Sequence, residues 1–237
     1  MRSIANRVRR ALRWRVRLAL ELALLTVHGL RVRAGTRSRA QPDSNGDRPR
    51  RERLISPDYH ALQQEMHRET LEYGVSASGH LHQVKLLSRL ISRDILDYGC
   101  GKQLLQAGLV FPIQSYDPGI PGLDDPPNPA DVVVCLGVLE HIEPEKLDGV
   151  LSDLRRVTRR AGYFMIGTQP AVKSLPDGRN AHLIVEGADW WARSISEHFN
   201  IHMRLEEMDR VTFLVKPRKT ALCSSDDVTR PVGSIAR

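Results

Sequence analysis

One seven-residue segment constrains this chain more than any other: Ile95-Leu96-Asp97-Tyr98-Gly99-Cys100-Gly101. A short apolar run favours an extended strand, and glycines directly after it stop that strand in a tight turn. Glycine lets the backbone turn sharply and come close to a ligand. A second short strand, 113–116, ends at Asp117, 20 positions after Asp97. A strand, a glycine turn and an acid closing the next strand together describe a nucleotide-type site. The turn approaches the ligand, and the acid can accept both hydroxyls of a ribose.

The surroundings supply the rest of such a fold. Helices are expected over 58–73 and 81–92 ahead of the first strand (94–98), and over 102–109 after the glycines. Asp131–Val138 (DVVVCLGV) is almost entirely apolar or β-branched, as expected of a parallel strand covered on both faces. The spacing of Leu147, Val150, Leu151, Leu154 and Val157 predicts a helix over 143–160, ended by Ala161-Gly162 and followed by a strand over 163–167. A helix over 189–198 then leads into strands 200–206 and 210–215, joined by a turn around Asp209. Strands alternating with helices imply an α/β, doubly wound, mostly parallel sheet. The final pair is joined too tightly for a crossover helix and must be antiparallel.

Two features separate the glycine turn from a dinucleotide fingerprint. The third glycine is missing, with Gln103 and Leu104 in its place. Asp97 also puts a carboxylate beside the turn, which would repel a pyrophosphate and attract a cationic ammonium. The four segments ILDYGCG, YDPG, DVVVCLGVLEHI and YFMIGT, in that order, resemble the class I S-adenosylmethionine (SAM)-dependent methyltransferases. Within them the chain looks most like the branch carrying Leu-Glu-His-Ile after the fourth strand, which is rich in enzymes acting on small molecules. The resemblance implies a Rossmann-like fold and SAM as cofactor. Asp97, Gly99 and Gly101 would surround its methionine part and Asp117 its ribose. Leu136, Gly137 and the residues through His141 would flank the sulfonium, and Asp124 or Asp125 would lie near the adenine. Helix 58–73 could form a lid with Tyr59 and His67 as contacts, and solvent-facing histidines are the favoured alternative. The sequence departs from the family at Gln103 and at Gly137, where relatives carry an acid, and it leaves little room for a third strand between Asp117 and Asp131.

Charge narrows the acceptor. Residues 1–53 hold 15 arginines against four acids, a net +11, which leaves −4 for residues 54–237 of a chain whose total is +7. The catalytic body has no cationic excess for phosphates, so a small-molecule or sugar-like acceptor is expected and nucleic acid is not. An RNA or protein methyltransferase using the Arg-rich arm, or a non-catalytic nucleotide-binding module, are the alternatives. Segment 1–33 has helical spacing with interleaved arginines. Its readings are packing on the body or a partner, disorder, or a peripheral contact with an anionic membrane surface. Residues 34–53 read as a disordered linker, 54–217 as the catalytic domain and 218–237 as a disordered tail. No run approaches the ~20 apolar residues of a membrane span. The three cysteines lack metal spacing, no metal site is expected, and a reducing, cytoplasmic setting fits.

Two places could supply a general base. His141 follows strand 131–138, where open α/β sheets place ligands, and an unperturbed imidazole titrates at about 6.5. The favoured alternative is that Glu140 and His141 fix the loop and the start of the next helix. The second place is the long loop 169–189, where Asp177, Arg179, Asn180 and His182 cluster ahead of Trp190-Trp191. His182 is a candidate base, and Asp177, Arg179, Asn180 and Trp191 are candidate acceptor contacts.

Overall fold

The computed structural model describes residues 54–70, 73 and 79–218. The Arg-rich segment 1–33, the linker 34–53 and all of the tail beyond Arg218 lie outside the described residues.

Strands β1 (Ile95–Tyr98), β2 (Gln114–Tyr116), β3 (Ala130–Leu136), β4 (Thr158–Gly167), β5 (Phe199–Glu206) and β6 (Arg210–Pro217) form one sheet in the order β2-β1-β3-β4-β6-β5. β1 pairs parallel with β2 and β3, and β3 pairs parallel with β4. β6 runs antiparallel to both β4 and β5, so it alone is reversed. The stretch between Asp117 and β3 forms turns and no strand, as the short spacing required.

Alternation along the strands builds two cores. Leu96, Val133, Cys135, Phe164, Phe213 and Val215 face α4 (Leu147–Val157) and α5 (Ala188–His198). Ile95, Val132, Val134, Tyr163 and Leu214 face α2 (Leu81–Leu90) and the single-turn α3 (Leu104–Gly108). Both faces are thereby covered, the requirement for central parallel strands. α1 (Pro57–Glu69) belongs to a third, smaller cluster with Tyr73, Leu175 and Ala181.

Two boundaries differ from the sequence reading. The helix expected over 143–160 is a 3₁₀ turn (Pro144–Lys146) followed by α4, and it ends at Val157. Thr158 stops it, because both its backbone N–H and its hydroxyl donate to the Leu154 carbonyl, the latter at 2.7 Å. Residues 158–162 then extend β4, and Gly162 pairs with Val133 on one side and Val215 on the other. A Cβ at Gly162 would come within 2.8 Å of Phe164 and Val215 atoms, so this glycine serves close strand packing and not helix termination. The helix expected over 102–109 shrinks to α3, because Gln103 takes a left-handed conformation (φ 56°, ψ 33°).

Candidate active site

A cavity of about 380 Å³ opens at the carboxyl ends of β1, β2 and β3. The chain leaves β1 toward β2 on one side, while β3 lies on the other, so this is the topological switch point where open sheets bind ligands. Its wall on the β1 side is backbone. Gly99 and Cys100 both donate N–H groups to the Tyr116 carbonyl, at 2.7 and 3.0 Å, which folds the turn against the end of β2. Gly99 sits at φ 76° and Gly101 at φ 49°, and a Cβ on Gly99 would lie 2.4 Å from Val138 Cγ2. Only glycine satisfies both demands at position 99.

Asp117 closes the turn. Its Oδ2 accepts from Gly101 N–H and its Oδ1 from Gly119 N–H, each at 2.9 Å. A carboxylate has about four acceptor positions, so two remain for a ligand at the cavity wall. Asp97 lies behind the wall, 1 % exposed, with Oδ2 unpartnered. Burial, aided by the neighbouring Asp117, pushes its carboxyl up to about 7. Leu136 and Gly137 form the wall at the end of β3, and Gly137 adopts φ 70°.

α1 roofs the cavity and is held at both ends. Ser56 donates its N–H and its hydroxyl to Glu143, at 2.8 and 2.6 Å, and Lys102 Nζ donates to the Thr70 carbonyl at 2.8 Å. The helix expected ahead of the first strand therefore lies over the cavity, with Tyr59 and His67 among its lining residues. Sequence reading missed Gln63 and Tyr73, which face the same space. Tyr73 donates to Gln63 Oε1 at 2.9 Å, leaving Gln63 Nε2 buried without a partner. His67 Nδ1 is also buried and unpartnered, its Nε2 lies 3.9 Å from Asp117, and burial lowers its pKa. The period of α1 was the available signal, since Gln63 and His67 are one turn apart.

The opposite end is built from two loops. Loop 169–187 folds over the 3₁₀ turn Leu139–His141 through His141 Nδ1–H donating to the Ala181 carbonyl at 2.7 Å and Ile184 N–H donating to the Glu140 carbonyl at 3.0 Å. His141 and His182, 41 positions apart in sequence, thereby meet edge to face with ring centroids 4.8 Å apart, both on the cavity. Burial and the adjacent His182 push His141 down to about 4, so it is neutral. Glu140 is buried, with Oε1 accepting from Gly167 N–H at 2.7 Å, and burial raises its pKa to about 7.

The other loop residues read as acceptor contacts are corrected by the structure. Asp177 and Arg179 are bound to each other, at 2.7 Å, and neither lines the cavity. Arg179 instead lies over the outer side of Tyr59, 5.9 Å from its ring centroid. Asn180 is spent on its own loop, with Oδ1 accepting from Ala171 and His182 N–H groups and Nδ2 donating to the Ala171 carbonyl. It positions His182 and contacts no ligand space. Trp191 is fully buried in the core against α4, its size and apolar surface having more to gain there than at a wet cleft. Asp124, expected near an adenine, caps its own turn at Gly122 and is not on the cavity wall.

No family model and no curated protein matches the chain. Solved structures resemble it at low identity. One is 1,6-didemethyltoxoflavin-N1-methyltransferase of Burkholderia thailandensis with its acceptor and S-adenosylhomocysteine, at 16 % identity, TM-score 0.47, covering 70 % of this chain and 92 % of that one. Another is the N-methyltransferase NodS of Bradyrhizobium japonicum with S-adenosylhomocysteine, at 14 % identity, TM-score 0.46, covering 68 % and 98 %. A third is a TehB-like SAM-dependent methyltransferase of Corynebacterium glutamicum, at 10 % identity, TM-score 0.43, covering 68 % and 97 %.

Proposed function

We propose that the chain is a SAM-dependent methyltransferase acting on a small-molecule acceptor. The observation that carries this reading is the switch-point cavity, where the Gly99–Gly101 backbone and the Asp117 carboxylate share one wall. Its volume of about 380 Å³ suits a small ligand. The residues present fit the cofactor. Gly99 and Gly101 leave its methionine part room against backbone, and Asp117 offers acceptor positions to a ribose, while Asp97 is buried behind the turn and off the cavity wall. Gln63 Nε2 and His67 Nδ1, both unpartnered, supply polar groups from the roof. Leu136 and Gly137 flank the reacting end.

Bound there, the cofactor supplies a methyl group on a sulfonium, open to in-line attack by a nucleophile. The protein's own contribution is alignment and exclusion of water, which can account for much of such a reaction. α1 covers the cavity, and the His141–His182 pair bounds the acceptor end. A body of net charge −4 favours a neutral or cationic small acceptor over a polyanion. Between the two imidazoles, His182 is the preferred proton acceptor, because burial and the neighbouring ring hold His141 neutral.

Calorimetric titration of the full chain with S-adenosylhomocysteine, and separately with NAD, tests the assignment. Binding of the first and not the second is expected. Absence of S-adenosylhomocysteine binding refutes it, and NAD binding would make the chain a nicotinamide-cofactor protein.

A further inference from the structure

Glu140, His141 and His182 form an arrangement that positioning alone does not require. One ligand atom from each of the three lies within 4.8 Å of the other two. Both imidazoles have Nδ1 at a backbone carbonyl, His141 at Ala181 O (2.7 Å) and His182 at Gln169 O (2.6 Å). A ring whose Nδ1 donates to a carbonyl carries its lone pair on Nε2, the arrangement that typically holds a metal-binding histidine in place. Glu140 completes the set. The residue is 2 % exposed, its Oε1 is taken by Gly167 N–H, and its Oε2 is buried with no hydrogen-bond partner. An unpartnered carboxylate oxygen in the interior is costly unless it takes up a proton or a cation meets it.

We propose that Glu140, His141 and His182 bind one divalent transition-metal cation at the acceptor end of the cavity. Two imidazoles and one carboxylate are the donor set for zinc, iron(II) or cobalt(II), and three protein ligands leave coordination positions open. Metal–ligand bonds of about 2.1 Å put neighbouring donors about 3.0–3.5 Å apart, so binding requires three donors that lie within 4.8 Å to draw together. The groups that hold these donors are in place: Ala181 and Gln169 carbonyls orient the rings, and Gly167 N–H orients the carboxylate. Gly167 is also the residue at which a Cβ would press on this cluster, 2.9 Å from both Glu140 Oε1 and His182 Cε1.

The inference rests on the methyltransferase reading for its consequence, not for the site itself. The two histidines line the cavity, so the open coordination positions face the acceptor. The acceptor class that fits is one bearing a hydroxyl oxygen. Coordinated, that oxygen loses its proton to solvent more readily, as metal-bound water does. Its O–C bond then forms as the C–S bond breaks, with the electron pair leaving on sulfur. His182 serves in this arrangement as a ligand and no longer as the base.

The test is cobalt(II) titration of the full chain after chelator treatment, followed by ligand-field absorption in the visible, with S-adenosylhomocysteine binding measured in parallel. One equivalent of cobalt with visible bands is expected. His182→Ala and Glu140→Gln should each remove the bands and weaken binding by more than the roughly 10–100-fold that losing a ligand's hydrogen-bond partner costs. Circular dichroism confirms that each variant is folded; the partly exposed His182 is the safer site should Glu140→Gln not fold. A second cluster, Asp148, Glu197 and His198, lies on the surface, and His198→Ala should leave the bands intact. Bands that survive His182→Ala, or that vanish in His198→Ala, overturn the proposal. So does absence of cobalt binding by a chain that still binds S-adenosylhomocysteine, an outcome that leaves the methyltransferase reading standing. Cobalt binding without S-adenosylhomocysteine binding supports the metal site and removes the methyltransferase reading instead.

Discussion

Asp97→Asn should make this protein more stable relative to the unaltered chain as pH rises. The Asp97 carboxyl is raised from 3.8 to about 7, first by burial and second by Asp117. Between those two values the folded protein keeps a proton that the unfolded chain has given up. Stability therefore falls as pH rises through this window, and the full penalty is present above about 7. At about 1.4 kcal/mol per pKa unit, the penalty is about 4 kcal/mol in order of magnitude. Asparagine has its own buried amide, but that cost does not change with pH. The informative quantity is thus the difference in unfolding free energy between the two proteins. It should shift in favour of Asp97→Asn by up to about 4 kcal/mol between pH 4 and pH 8, with most of the shift complete by pH 7. Urea unfolding at four or five pH values measures it. A difference that stays flat, or that moves the other way, refutes the claim that this carboxylate is buried at a cost.

Three further outcomes are expected. Gly99→Ala combines a positive φ with a Cβ 2.4 Å from Val138 Cγ2, and should cost about 2–4 kcal/mol in urea unfolding; adding Val138→Ala should recover part of it, and strict additivity would refute the contact. Asp117→Asn places an amide where Gly101 and Gly119 both donate, so one donor loses its partner; a stability loss of about 1–3 kcal/mol is expected, and S-adenosylhomocysteine affinity should fall at least about tenfold by calorimetry, a shift of about 1.4 kcal/mol. Trp191→Ala empties a fully buried site and should cost about 3–5 kcal/mol. Trp191→Phe should cost less than half of that and leave S-adenosylhomocysteine affinity unchanged; a tenfold loss would return Trp191 to the site.

What the sequence made legible was whatever depends on neighbours in the chain. The apolar run of β1, the glycines after it and the acid closing β2 declare a turn and its partner within 23 residues, from Ile95 to Asp117. The tight connection between β5 and β6 declares an antiparallel pair. Boundaries decided by a single competing hydrogen bond were not legible: nothing in the periodicity of α4 announces that Thr158 will cap Leu154 and turn the chain into β4. Nor does glutamine ordinarily signal the left-handed conformation that Gln103 adopts. The meeting of His141 with His182 depends on how loop 169–187 folds back, which is set by backbone bonds between distant residues. The same loop misled the reading of Asp177, Arg179 and Asn180. Polar side chains in a long loop can serve a ligand or the loop, and here they serve the loop.

The strand order has a consequence for how the molecule is made. β6 is the last element of the sheet to leave the ribosome, yet it occupies an interior position between β4 and β5. Until residues 210–217 emerge, β4 exposes an unpaired edge rich in Tyr163, Phe164, Met165 and Ile166, and β5 has no partner at all. A nascent chain halted before Arg210 would therefore lack more than a peripheral strand; it would display an adhesive apolar edge of the kind that recruits other chains. Closure of this sheet is a late, non-local event, because the edge of β4 is covered only once β6, the last strand of the sheet in sequence, has been made.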